Sequence, residues 1–286
     1  VNSAIHSDIV WPGSGYNNLL AHIFGGKIKF RAKGNIDVIR PAFQSLAELD
    51  KFDVGILDKH PWIITIRDII KQVDSLVGQN VLVGTSVWGP FTLAGQFYGV
   101  EKLMSGLYKD KAAIHALLEV MTEICYRYLS PTIEKGALLL SIAEPTASGD
   151  LISLQHFEDF VVPYLTKLVS RLKQDGALIT LHICGNIRDR LALAPAIGVD
   201  LLSVDSKVDL DVAIKTLDGR VALAGNLNPV MLKDCPANGL ITATEKILQE
   251  ASGYSRYILM LGCDIPPTVP LYNVQTFLST GLNWVG

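Results

Sequence analysis

The chain has 286 residues, 49% of them hydrophobic and 19% charged, and a formal net charge of -3. Such a chain buries a large core and is not disordered, and with no block of Lys and Arg it offers nucleic acid no basic stripe. Its apolar runs, such as GALLLSIA and RYILMLG, fall short of the roughly 18 to 20 residues a membrane-spanning helix needs, so no membrane association is expected.

Four cysteines, Cys125, Cys184, Cys235 and Cys263, are too few in so long a chain for a disulfide framework, and no charged segment followed by an apolar one opens it. A reducing cytoplasm is the expected location. The start at Val1 instead of Met reads as an N-terminal piece removed or belonging to a longer product.

In chain order, weak strand candidates come first, at KIKF (27–30) and KFDVGIL (51–57), followed by a clear one at NVLVGTSV (80–87). KAAIHALLEVMTEICYRYLSPTIEK (111–135) has helical periodicity, with Pro131 near its end, and GALLLSIA (136–143) is a strand. LQHFEDFVVPYLTKLVSRLKQDG (154–176) is a second helix candidate, ended by Gly176 and followed by the strand ALITLHIC (177–184). RDRLALAPAIG (188–198) is helical, and GVDLLSVD (198–205) and RVALAGN (220–226) are strands. The helix NGLITATEKILQEA (238–251) and the strand RYILMLGC (256–263) complete the series.

Strands that are apolar almost throughout are covered on both faces, and their alternation with helices implies a parallel sheet. Six clear strands and two weak ones approach the eight of a (β/α)8 TIM barrel, with part of its N-terminal segment outside this chain. No linker divides residues 1–286, so a single domain is expected. The alternative, a doubly wound sheet, lacks the Gly-x-Gly-x-x-Gly turn after a first strand.

Polar residues fall where such a barrel carries chemistry. Glu144, His182, Cys184, Asp205, Asn226 and Cys263 each stand at or just past the C-terminal end of a strand, and in a barrel those ends converge on one mouth. His182 and Cys184, one residue apart, point to the same side of a strand. Together with Cys263 they can supply one nitrogen and two sulfurs to a single ion; three protein ligands and an open position describe a catalytic zinc site. A buried Cys acting as a small hydrophobe, and a His hydrogen-bonded for structure, remain the alternative. Thr180 to Gly185 nearly matches the Asp-x-His-x-x-Gly motif of cobalamin carriers, but position 180 is Thr, so the chain is not read as a carrier.

LHICGN (181–186), AEPTASGDLIS (143–153), AGNLNPVML (224–232) and LGCDIPPTVPLYNV (261–274), in this order, resemble the uroporphyrinogen decarboxylase superfamily. They are most similar to its zinc-dependent corrinoid methyltransferases of the methylcobamide:coenzyme M type. The resemblance runs from SVWGPFTLAGQFYG (86–99) to the C-terminus. It implies a (β/α)8 barrel, Zn2+ on His182, Cys184 and Cys263, and transfer of a methyl group to or from a corrinoid (methylcobalamin type) held by a separate carrier protein. The second substrate is then a thiol acceptor such as coenzyme M, tetrahydrofolate, or a methoxylated or methylamine donor.

Decarboxylation of a porphyrinogen is the main alternative, and a non-catalytic barrel with a structural zinc is another; the first leaves the His-Cys-Cys set without a task. Further candidates are Glu144 as a base or fourth ligand, and Asp205 as a catalytic or supporting carboxylate. Asn226, Trp88 and Phe97 are candidates for contacting substrate. The oligomeric state is left open.

Overall fold

The computed structural model describes residues 5–31 and 36–285. Strand β1 (Ile9–Val10) is followed by a separate antiparallel pair, β2 (Lys27–Lys29) and β3 (Asp37–Arg40). Six further strands follow: β4 (Leu82–Trp88), β5 (Leu139–Ala143), β6 (Leu178–Ile183), β7 (Leu201–Val204), β8 (Ala222–Leu227) and β9 (Tyr257–Leu261). The main sheet is parallel and seven-stranded, in the order β1-β4-β5-β6-β7-β8-β9. Each of its strands joins beside its predecessor, so the order never reverses as it does in a doubly wound sheet.

The six clear strands expected from the sequence are all present, but the expected eight-stranded closure is not. Among the described residues no pairing joins β9 to β1, and the two weak candidates add nothing to the sheet. KIKF forms β2, outside it. KFDVGIL is not a strand: the Gly55 amide donates to Asp53 Oδ1 at 2.9 Å, and this turn leads into the helix Ile56–Lys59. A short acidic side chain that bonds the backbone two residues on competes successfully with extended structure.

The sheet's two faces differ. Val83, Val87, Leu140, Ile142, Ile179, Leu181, Leu202 and Val204 are buried in the main core with Leu117, Met121, Ile124, Leu165 and Leu168 of the flanking helices. Each such side chain, fully buried, contributes about 1.5 to 3 kcal/mol. The other face carries Ser86, Trp88, Ser141, Ala143 and His182, all only half-buried. Strand alternation thus separates a structural face from an accessible one.

The helix Lys111–Ile133 starts where Asp110 accepts the Ala113 amide at 3.1 Å, and near its end Pro131 lacks the amide that would reach the Arg127 carbonyl, which accepts from Arg67 Nη2 at 2.9 Å instead. It packs on the helix Val162–Gln174, bridged by Glu123 and Arg171 at 2.7 Å. The single helix expected over 154–176 is two, Leu154–Phe160 and Val162–Gln174; Pro163, which lacks an amide hydrogen, stands in the first turn of the second. A smaller core of Leu227, Leu232, Leu240, Leu261 and Phe277 lies under the last helices. Among the described residues no helix is long and apolar enough to cross a membrane.

Candidate metal centre

His182 is the fifth residue of the six in β6, Cys184 follows the strand, and Cys263 comes two residues after β9. Their donor atoms lie within 4.8 Å of one another, forming a cluster able to hold a metal ion. His182 Nε2 is 3.0 Å from Cys184 Sγ, and the two sulfurs are 3.2 Å apart. Both cysteines are free thiols. All three side chains are half-buried.

The backbone around the cluster is fixed from neighbouring strands. Gly185 turns the chain immediately after Cys184 with φ +81°, a conformation an L side chain rarely adopts. Its amide donates to Asp205 Oδ2 at 3.0 Å, while Asp205 Oδ1 accepts the Lys207 amide at 3.0 Å. Asn226 Nδ2 donates to the carbonyls of Asp205 (3.2 Å) and Val208 (2.7 Å), bracing the same loop. At Cys263 the preceding Gly262 amide donates to Leu227 O at 2.7 Å, extending the β8–β9 ladder to the cluster.

Ser203, which the sequence reading did not single out, stands beside His182 in the β6–β7 register and is 3.0 Å from its Nδ1. Its signal was present: it is the one hydroxyl in the apolar strand LLSV, two residues before Asp205. Holding Nδ1 leaves Nε2 directed at the sulfurs.

The thiols are unequal. The hydrogen bond from Cys184, and then the contact with His182, pulls Cys263 down to about 4. The same hydrogen bond, with burial, drives Cys184 upward. Burial raises the Asp264 carboxyl next door, and the Cys263 charge adds to the effect.

Glu144 lies outside this cluster. It is fully buried, with Oε1 accepting from the Phe91 amide (2.9 Å) and Oε2 from the Thr92 amide (2.8 Å) and hydroxyl (2.6 Å). It thus closes the N-terminus of the helix Pro90–Tyr98, where Gly89 has no side chain to do so. Burial pushes its carboxyl up to about 7 against the opposing pull of those hydrogen bonds.

Trp88 shares a rung of the accessible face with Ala143 and His182. Phe97, expected at the substrate, is instead fully buried among Phe24, Phe43 and Phe52, with ring centroids 5.6, 6.0 and 6.3 Å away. Its place on the helix Pro90–Tyr98 turns it into the core. Clefts of about 640 Å3 between Asp53 and Pro61, and of about 360 Å3 between Ile5 and Leu282, involve none of the site residues.

Known proteins share the sequence pattern and the fold of this chain. The family model described as uroporphyrinogen decarboxylase matches residues 18–283. The methylcobamide:CoM methyltransferase MtbA of Methanosarcina mazei is 31% identical over 266 residues, 92% of this chain and 76% of that protein. A uroporphyrinogen decarboxylase of Prochlorococcus marinus is 28% identical over 231 residues, 76% of this chain and 63% of that protein. A solved methyltransferase structure from Methanosarcina mazei shares the fold with a TM-score of 0.81 at 24% identity, covering 98% of this chain and 81% of the other. The chain belongs to the uroporphyrinogen decarboxylase family, and over most of its length it is similar to that family's methylcobamide methyltransferases.

Proposed function

We propose that this chain is a zinc-dependent methyltransferase that moves a methyl group between a corrinoid, carried by a separate protein, and a second substrate beside His182. The observation that carries the reading is the His182-Cys184-Cys263 cluster at the C-terminal end of the sheet. The 31% likeness to a methylcobamide:CoM methyltransferase supplies the reaction class.

The donors fit zinc in kind and nearly in position. With Zn–S near 2.3 Å, two sulfurs on one tetrahedral ion stand about 3.8 Å apart; here they are 3.2 Å apart, so a small outward shift makes room. Three donors also leave the fourth position free. When bound, zinc supplies Lewis acidity, favouring the thiolate of a thiol substrate or drawing electrons from an ether oxygen.

The chain's own residues do the rest. Ser203 Oγ, 3.0 Å from Nδ1, orients the imidazole with Nε2 towards the sulfurs; with Nε2 on the ion, the Nδ1 proton would donate to Ser203 Oγ. Asp205 holds the Gly185 amide and with it the direction of Cys184, and Asn226 braces the loop that carries Asp205. Glu144 acts as a positioning residue, fixing the helix that follows Trp88. Trp88 offers a flat apolar wall to the substrate.

We read the sheet as the wall of a (β/α)8-type barrel and residues 1–286 as one domain. Two strands, β7 and β8, separate β6 from β9, a span of about 14 Å in a flat sheet. A separation of 3.2 Å between Cys184 and Cys263 sulfurs supports strong curling towards this face. Two adjacent thiols that must stay reduced to bind a metal suit a reducing cytoplasm.

The test is metal analysis of the purified protein with X-ray absorption at the zinc edge. About one zinc per chain with two sulfurs and one nitrogen is expected, together with methyl transfer from methylcobalamin to a thiol or from a methyl donor to cobalt(I). Cys184→Ala or Cys263→Ser should remove zinc and activity together and leave the fold intact. Full zinc in His182→Ala protein would overturn the ligand assignment.

A further inference from the structure

The turn that follows Cys184 is gripped from two neighbouring loops. Asp205, after β7, takes the Gly185 amide, and the next amide, that of Asn186, donates to Asp150 Oδ2 at 3.2 Å in the loop after β5. The Asn186 carbonyl in turn accepts the Gly149 amide at 2.8 Å. The β5 loop lies so close to this turn that a Cβ on Gly185 would stand 2.5 Å from Asp150 Oδ2 and 3.2 Å from Ser148 Oγ. The direction of Cys184 therefore depends on where residues 147–152 lie.

Residues 148–152 belong to no helix or strand, so no ladder of backbone hydrogen bonds holds them. Arg190 supplies the hold. Its Nη1 donates to Ala147 O at 2.7 Å and its Nη2 to Ile152 O at 3.1 Å, at the two ends of the loop. Nε and Nη2 also donate to the Asp189 carboxylate, at 2.9 and 3.1 Å, and the guanidinium carbon lies 4.9 Å from the centre of the Phe157 ring. All three nitrogens are thus engaged in a side chain that is only 3% exposed. Burying a guanidinium is costly unless it is fully hydrogen-bonded, and its rigid fork fixes the spacing of the two carbonyls as no apolar residue does. Arg190 belongs to the short helix Arg188–Leu193, just beyond the Cys184 turn, so one side chain of the β6 loop fastens the β5 loop to it.

We propose that Arg190 is a positioning residue of the metal centre: it clamps the Ala147–Ile152 loop onto Gly185 and Asn186 and through them fixes the Cys184 sulfur. None of its hydrogen bonds reaches His182, Cys184 or Cys263, so its effect passes through the backbone of the seam between the two loops. The inference rests on the metal reading of those three residues.

The test is chelator competition for Zn2+ with purified Arg190→Lys, which keeps the charge and loses the fork, and with Gly149→Ala. The second variant enters the seam from its exposed side, where the new Cβ would stand 2.8 Å from Asn186 O and wedge the loops apart without opening the core. Each should weaken zinc about tenfold. In the metal-free variants the Asn186 amide should exchange with solvent about tenfold faster than in the parent. In the cobalt(II)-loaded variants the thiolate-to-metal absorption should fall, because Cys184 is the displaced ligand. Leu117→Ala, a cavity in the helix core, gives the comparison: its melting temperature should drop while its zinc affinity stays at the parent value. Should Arg190→Lys fail to fold, Gly149→Ala decides. Variants that bind zinc like the parent would overturn the proposal, and so would a Leu117→Ala protein that loses as much affinity as they do. A parent protein without zinc would overturn the metal reading and this inference with it, whereas a zinc-loaded parent with unaffected variants sinks this inference alone.

Discussion

The imidazole of His182 is held on both sides, by Ser203 at Nδ1 and by Cys184 at Nε2, each at 3.0 Å. Orientation of this kind tunes a ligand as much as its identity does, and losing such a partner commonly costs 10- to 100-fold in metal affinity. Ser203→Ala is therefore expected to weaken zinc binding by about that factor in a chelator competition. Ser203→Thr, which keeps a hydroxyl, should retain most of the affinity. A merely structural serine would change the melting temperature and leave the competition curve alone. At this scale much was legible in the sequence: a His-x-Cys pair at a strand end and a Cys at a later one are chemically conspicuous. Ser203 and Thr92 were not, because a single hydroxyl has meaning only through its partner, and the partner is set by register. Phe97 misled for a related reason, since an aromatic in a glycine-rich stretch suits a mouth or a core, and only helix phase decides between them.

Among the helices, Glu123 ties Lys111–Ile133 to Val162–Gln174 through Arg171, and it also accepts from Arg127 at 2.8 Å. Burial works to raise its carboxyl, but the hydrogen bonds from the two guanidiniums outweigh this and hold it below its ordinary 4.5. A carboxylate whose folded value is depressed stabilises the fold above its unfolded value, and the contribution fades as pH falls through the folded one. Because the group is only half-buried and its partners are screened by solvent, Glu123→Gln should cost less than about 1 kcal/mol at neutral pH. Denaturant unfolding at pH 7 and again near pH 3 should show the difference and then its disappearance, about where carboxylates protonate. High salt at neutral pH should shrink it too. The six central strands could be read from composition alone because burial on both faces makes them apolar throughout. The N-terminal third resisted: KFDVGIL is as apolar as a strand, and the side-chain turn at Asp53 decides otherwise. β1, with two residues, is too short to carry a period.

For the whole molecule, the winding order explains why residues far apart in sequence share a site. Strands added always on the same side bring their C-terminal ends to one edge in chain order, so the polar residue closing each strand joins the next along that edge. The closure of the sheet was not legible in the same way, because it depends on which segments supply the flanking strands and not on the apolar runs themselves. The core behind the sheet is built from helix and strand side chains without help from the metal donors, so stripping zinc should leave the fold standing. What it leaves exposed is a different vulnerability. The Cys184 and Cys263 sulfurs, 79 residues apart in sequence, lie 3.2 Å from each other, about 1.2 Å beyond the length of a disulfide. Oxidised glutathione should convert the metal-free protein to a form with this pair cross-linked, releasing two molecules of reduced glutathione per glutathione disulfide consumed and lowering the free-thiol count by two. Zinc-loaded protein should resist. Peptide mapping after alkylation would detect the cross-link, and equal oxidation with and without zinc would contradict the expectation. The metal centre would then be a redox fuse, which air opens whenever the ion is missing and a reductant restores.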